Sequence, residues 1–197
     1  MDKKSVSATI LVLFLALFFT VVGACFSTFV YAKKRTLLQE VKVVSFEGVG
    51  VFQDKTHKKP ATSLKLSNMD LGLKPATGEV DAETKIPSTI TDKGTSEGYF
   101  SCVYVDARVA FKVMIKDIEI NSTHDELVVK EERRNIFVAI KDVSGSAKSL
   151  EDEEIELANF SNVETLEKMT FYVWLSSFAT DELEGAKISF TIEFVAI

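Results

Sequence analysis

The sequence predicts an all-β protein, an antiparallel β-sandwich preceded by a single N-terminal transmembrane helix. Three observations predict it. Between Lys4 and Lys33 lie 28 residues without one charge. Beyond residue 35, several stretches alternate apolar and polar residues with a period of two, the signature of half-buried strands. Turn signals separate those stretches, and no long amphipathic helix interrupts them.

The apolar run Ser5 to Ala32 comes first. A helix rises about 1.5 Å per residue and a bilayer core is about 30 Å thick, so about 20 apolar residues span it. Within lipid a helix satisfies its own backbone groups. Thr9, Thr20, Ser27 and Thr28 are expected to bond back to helix carbonyls. A retained anchor at residues 1–35 is the expectation, because a signal-peptide core holds only about 7–15 apolar residues. Two other readings remain open. Val30-Tyr31-Ala32 offers small residues for cleavage after Ala32, which would release a secreted protein. Val22-Gly23-Ala24-Cys25 fits a lipid-attachment site, against which stands the apolar tail Phe26 to Ala32. Positive residues flank the run on both sides: Lys3 and Lys4 before it, Lys33, Lys34 and Arg35 after it. The positive-inside rule therefore nearly balances. The β-rich remainder and the signal-like end of the run favour an outward-facing C-terminal domain at the cell membrane, residues 36–197.

Removing residues 1–32 leaves 165 residues, enough for one domain with a sizeable core. They carry 21 Lys+Arg (23 less Lys3 and Lys4) and 28 Asp+Glu (29 less Asp2), a formal charge of −7. Such a domain repels phosphate backbones, so no nucleic acid partner is expected. Two cysteines make no disulfide framework. Cys25 lies in the apolar run, and Cys102 reads as a small buried hydrophobe.

In chain order, Thr36 to Lys42 reads as a stalk and Val41 to Phe52 as the first strand, with Gly48 and Gly50 marking a bulge. Residues 53–98 form a loop-rich insertion with no aromatic residue before Tyr99; they hold all three prolines, Pro60, Pro75 and Pro87. Ser63 to Leu66 and Ile86 to Thr91 read as short edge strands. A stretch this long and weakly patterned is commonly functional or disordered. Surface excursions are one reading, and a segment that pairs with a neighbouring molecule is the other.

Tyr99 to Val105 is an aromatic strand. In Arg108 to Ile120, Val109, Phe111, Val113 and Ile115 alternate with Ala110, Lys112, Met114 and Lys116. Glu126 to Lys130 is expected to pair as a strand with Asn135 to Val143 across the charged corner Glu131 to Arg134. Ser149 to Leu157 is a short acidic helix capped by Ser149 or a strand with Ile155 and Leu157 facing in. Lys168 to Ser176 places Phe171, Val173 and Leu175 on one face. Ala186 to Val195 is the cleanest strand. Its Ile188, Phe190, Ile192 and Phe194, each worth about 1.5–3 kcal/mol when fully buried, belong in the core.

The search for chemistry is mostly negative. The chain has two histidines, His57 and His124, both in polar contexts. It has no H-E-x-x-H, no C-x-x-C, no zinc spacing and no nucleophile elbow. No catalytic residue, metal ligand or cofactor is therefore expected, and the chain does not read as an enzyme. His124-Asp125-Glu126 reads as a turn rather than a ligand set. Glu151 to Glu154 lacks the alternating spacing of a calcium loop and reads as a solvated run. Asn121-Ser122-Thr123 and Asn159-Phe160-Ser161 match the N-glycosylation pattern, which matters only in a secretory pathway. A ligand reading uses Tyr99, Tyr104, Tyr172 and Trp174 as a stacking surface for glycans or wall polymers. The competing assignment places these aromatics in the core.

Phe171-Tyr172-Val173-Trp174-Leu175, followed by Asp181 to Phe190 (DELEGAKISF), resembles the C-terminal end of the TasA/camelysin group of exported Gram-positive surface and biofilm-matrix proteins. The resemblance covers about the last 30 residues and, loosely, the order of apolar segment and β domain. It implies a jelly-roll-like sandwich and a role in envelope or matrix assembly. The group's "TYAYFTD"-like motif is absent, since Tyr31-Ala32 precedes Lys33-Lys34-Arg35. No metal motif carries over the protease activity associated with camelysin. The expected function is a membrane-anchored or exported structural or interaction protein. It holds the lipid bilayer through residues 5–32 and is open to a protein partner or to self-association. The alternative is a surface ligand-binding module.

Overall fold

A computed structural model describes residues 12–24, 37–64, 76, 78–90, 98–122, 126–161, 168–183 and 185–197. The chain divides into two units, Met1–Lys34 and Arg35–Ile197.

In the first unit residues 12–24 form a helix, α1, exposed throughout. Thr20 Oγ1 donates to Ala16 O, the back-bond expected from the sequence. Among the described residues no helix is long and apolar enough to cross a membrane. The expected span over residues 5–32 lies in part outside the described residues, as do Cys25 and the residues around Ala32.

The second unit is built from two packed sheets. Its strands are β1 (Leu37–Ser45), β2 (Val49–Phe52), β3 (Gly98–Ala107), β4 (Phe111–Asn121), β5 (Ile136–Ile140), β6 (Lys148–Ser149), β7 (Ile155–Phe160), β8 (Met169–Leu175) and β9 (Lys187–Ala196). One sheet runs β1-β9-β4-β7 and the other β2-β3-β8-β5-β6. The pairs are antiparallel apart from β1 and β9, which run parallel. The expected wholly antiparallel sandwich is corrected on that point.

The core forms where the two inner faces meet. Phe111, Phe171, Phe190 and Phe194 are fully buried there, along with Ile115, Ile188 and Ile192. The period-two pattern of 187–196 places Ile188, Phe190, Ile192 and Phe194 inward, as expected. The first expected strand is in fact two. Val41 to Phe52 breaks at a turn where Gly48 has φ 92°, so β1 and β2 join different sheets. A Cβ at Gly48 would lie 2.9 Å from Val109 Cγ2. The expected stalk from Thr36 gives way to β1, which begins at Leu37.

In the strand expected over 108–120, Val109 lies in the turn before β4 and is exposed, while Met114 is buried beside Val113 and Ile115. The alternation slips at a bulge between Lys116 and Glu119, where Asp117 takes φ 51°. Glu126–Glu132 is a helix, α2, and not a strand; Glu126 lies in its first turn and Lys130 in its last, the arrangement that suits the helix dipole. A 3₁₀ turn at Arg133–Asn135 follows, and Glu132 fixes it by accepting hydrogen bonds from Asn135 Nδ2 (3.0 Å) and the Thr180 N–H (3.1 Å). In the ambiguous stretch 149–157 no helix forms: Ser149 ends β6, residues 150–154 are a link, and β7 begins at Ile155 with Ile155 and Leu157 buried.

The insertion does two things. Residues 60–64 lie along the open sides of β1 and β2: Ala61 N–H donates to Val51 O (2.8 Å), Val43 N–H to Thr62 O (2.9 Å) and Leu64 N–H to Val41 O (2.9 Å). Ser63 makes only an isolated bridge to Lys42. Residues 78–90, with Ala76, form a strap across the outer face of the five-stranded sheet. The strap folds on itself through Asp81 N–H to Ile86 O (3.1 Å) and Ser88 N–H to Glu79 O (2.9 Å). Ile86 closes this turn and Pro87 makes an isolated bridge to Val80, in place of the expected edge strand.

Candidate functional site

The four aromatic side chains offered as a stacking surface are separated by the pleat. Tyr99 points inward on β3, buried, and its hydroxyl accepts the Leu38 N–H at 3.3 Å. Tyr172 and Trp174 point the other way on β8, into an outer-face cluster with Ala76, Ile86, Ile90 and Ala139. Trp174 is 3% exposed and stacks on Phe137 with ring centroids 5.6 Å apart. Tyr104 is half-buried and lies opposite Phe52 across β2 and β3. Only Tyr172 and Trp174 are brought together, and the strap covers them. The strap lies so close that a Cβ at Gly98 would come within 2.5 Å of Ile90 Cδ1. An open aromatic platform is therefore not formed by these residues.

Among the described residues no group of three or more His, Cys, Asp or Glu side chains could hold a metal ion. His57 stacks on Phe52 (centroids 4.8 Å) in the hairpin after β2, and His124 lies outside the described residues. Cys102 is a free thiol, half-buried on the outer side of β3 rather than in the core. Asn121 and Asn159 are exposed.

The sheet edges are more informative. Unpaired strand edges invite pairing with another chain, and proteins cover, shorten or charge them. On one side of the sandwich β1 and β2 are covered by residues 60–64. The hairpin tip 53–59 projects beside them and carries Lys55, Lys58 and Lys59, all exposed. Asp54 braces this tip. Its Oδ1 accepts from the Thr56 N–H (2.9 Å) and hydroxyl, and its Oδ2 from the Lys59 N–H (3.0 Å). Led by the Thr56 hydroxyl, these bonds hold the Asp54 carboxyl below its ordinary value.

On the opposite side, β6 is two residues long and β7 is the six-residue edge of the four-stranded sheet. Among the described residues no further strand pairs with β7. The link between β6 and β7 is Glu151-Asp152-Glu153-Glu154, exposed throughout, and Glu156 follows on the strand. Lys116 ties part of this run to the sheet, 3.4 Å from Glu154 and 3.3 Å from Glu193. Those two carboxylates, Glu193 first, raise the Lys116 pKa. The sequence marks the acidic run as a solvated face. The basic tip it does not single out, although three lysines within five residues of an acidic chain were a readable signal.

No family model matches the chain, and no curated protein or solved structure matches it.

Proposed function

We propose that this chain is a cell-surface structural protein whose copies associate edge to edge. In this reading the apolar segment 5–32 holds it in the lipid bilayer and a jelly-roll-like sandwich stands outside. The plan is that of a TasA/camelysin-like envelope or matrix component, with no enzymatic activity.

One observation carries the reading: the sandwich has a lysine-bearing edge and a carboxylate-bearing edge on opposite sides. Complementary patches on opposite sides favour a head-to-tail contact. Such a contact is heterologous, so it builds rings or open filaments and does not close as a two-fold dimer. Exposed charges are screened over about 10 Å at 0.1 M salt, so the association is expected to be salt-sensitive.

The test is a charge exchange in the full-length, detergent-solubilised chain. Lys58→Glu with Lys59→Glu, and separately Glu151→Lys with Asp152→Lys, alter exposed side chains. Sedimentation at low salt is expected to show association of the wild type and loss of association in each variant. An equimolar mixture of the two variants pairs the intact acidic run of one with the intact lysine tip of the other, and the reversed tip with the reversed run, and is expected to regain association. A wild type that stays monodisperse at low salt contradicts the proposal, as does a pair of variants that associate as the wild type does.

A further inference from the structure

Arg133 is the most anomalous charged group of the described residues. The sequence places it in an exposed-looking corner, yet it is 8% exposed. Its one hydrogen bond is long: Nη2 donates to Ile118 O at 3.4 Å. Its Nε is buried and has no acceptor. Removal from water lowers its pKa, and the charge of Glu153 opposes that. Taking a guanidinium out of water without a paired carboxylate is strongly unfavourable, and buried charges are ordinarily paired.

The local fold explains how the group is held there. The bulge at Asp117 and Ile118 turns the Ile118 carbonyl towards Arg133. Glu132, beside Arg133, is committed elsewhere, to Asn135 and Thr180. Arg133 lines two open hollows of about 340 Å³ and 330 Å³. Ile118, Glu119 and Arg133 line both; Glu153 lines the first and Glu126 the second. Volumes of this order accept small molecules.

The donor set defines the ligand. A guanidinium presents paired N–H groups that match the two oxygens of a carboxylate. The rim opposes a bare anion, because carboxylates outnumber lysines in the first cavity. A ligand with an ammonium next to its carboxylate answers both constraints. We infer that Arg133 and the β4 bulge form a binding site for a small zwitterion of the amino-acid kind. Its carboxylate accepts from the Nη end of Arg133 and its ammonium lies against Glu119 and Glu153. The inference stands independently of the edge association proposed above.

The test is nitrogen-15 NMR of the full-length chain in micelles, titrated with L-alanine, acetate and inorganic phosphate. Alanine is expected to shift the Arg133 Nε–H signal and the Glu119 amide saturably, at least tenfold more tightly than acetate. Phosphate is expected to give no saturable shift. Arg133→Met should abolish the response. Glu119→Gln, a change at an exposed position, should weaken alanine binding and leave acetate unaffected, which keeps the test informative even where Arg133→Met does not fold. No saturable response to alanine overturns the inference. Equal or tighter binding of acetate or phosphate overturns the zwitterion assignment.

Discussion

Glu132 shows how one buried carboxylate organises a corner. It is 5% exposed and bridges the 3₁₀ turn, through Asn135, to the loop after β8, through Thr180. Asn135 extends the network, since its Oδ1 accepts from Ser176 Oγ at 3.0 Å. Glu132→Ala leaves two donors without an acceptor and is expected to cost about 1–3 kcal/mol, with Glu132→Gln milder. Urea unfolding of the two variants measures the difference; equal midpoints for Glu132→Ala and wild type would sink the assignment. At the surface, Asp54 and Asp81 each accept several bonds from their own loops, and both carboxyls titrate below their ordinary value. For Asp81 the backbone N–H of Thr84 is the leading cause. A carboxyl depressed in the folded state contributes stability above its unfolded pKa and loses it as pH falls through the folded one. The window therefore lies below about pH 4. The Asp54→Asn, Asp81→Asn double variant should lose less stability than the wild type as pH falls from about 4 to about 2, and an equal or steeper loss would contradict this.

At the scale of elements, the strap over 78–90 accounts for the burial of the outer face. Ile86 and Ile90 cover Tyr172 and the only tryptophan of the chain. Trp174 is expected to emit in the blue and to resist quenching by acrylamide or sugars. Ile90→Ser should shift the emission to the red and destabilise by about 2 kcal/mol or more. A wild-type emission already typical of water would show the strap to be displaced. This element was hard to read because its apolar residues are few and lack a period. A clue lay in the strand it covers, since Phe171–Leu175 is an unbroken apolar and aromatic run, the mark of burial on both faces. The strands 98–107 and 187–196 were legible because each has one core face, which writes a period of two. α2 was misread as a strand because Val128 and Val129 are β-branched and favour strands locally. The helix is stabilised at its end by contacts distant in sequence, through Glu132 to Thr180. The same non-local cause hid Arg133, whose burial depends on a bulge fifteen residues earlier.

For the whole molecule, the two-layer β architecture of 37–197 was readable from patterning, whereas the pairing was not. The parallel neighbours β1 and β9 join the first and last strands, a contact that no local signal encodes. β9 lies between β1 and β4, so the four-stranded sheet depends on the chain's final strand. The charge distribution is likewise a property of the assembled sandwich. The lysine tip and the acidic run lie almost a hundred residues apart in the chain, and the strand order places them on opposite edges. The proposed tether and the proposed association meet in one measurement, zero-length carbodiimide cross-linking on intact cells of the native host, followed by fractionation and peptide mass spectrometry. The account predicts full-length chains in the membrane fraction, joined between molecules from Lys55, Lys58 or Lys59 to the Glu151–Glu154 run. A released species beginning at Lys33, or uncross-linked single chains in the membrane, would contradict it.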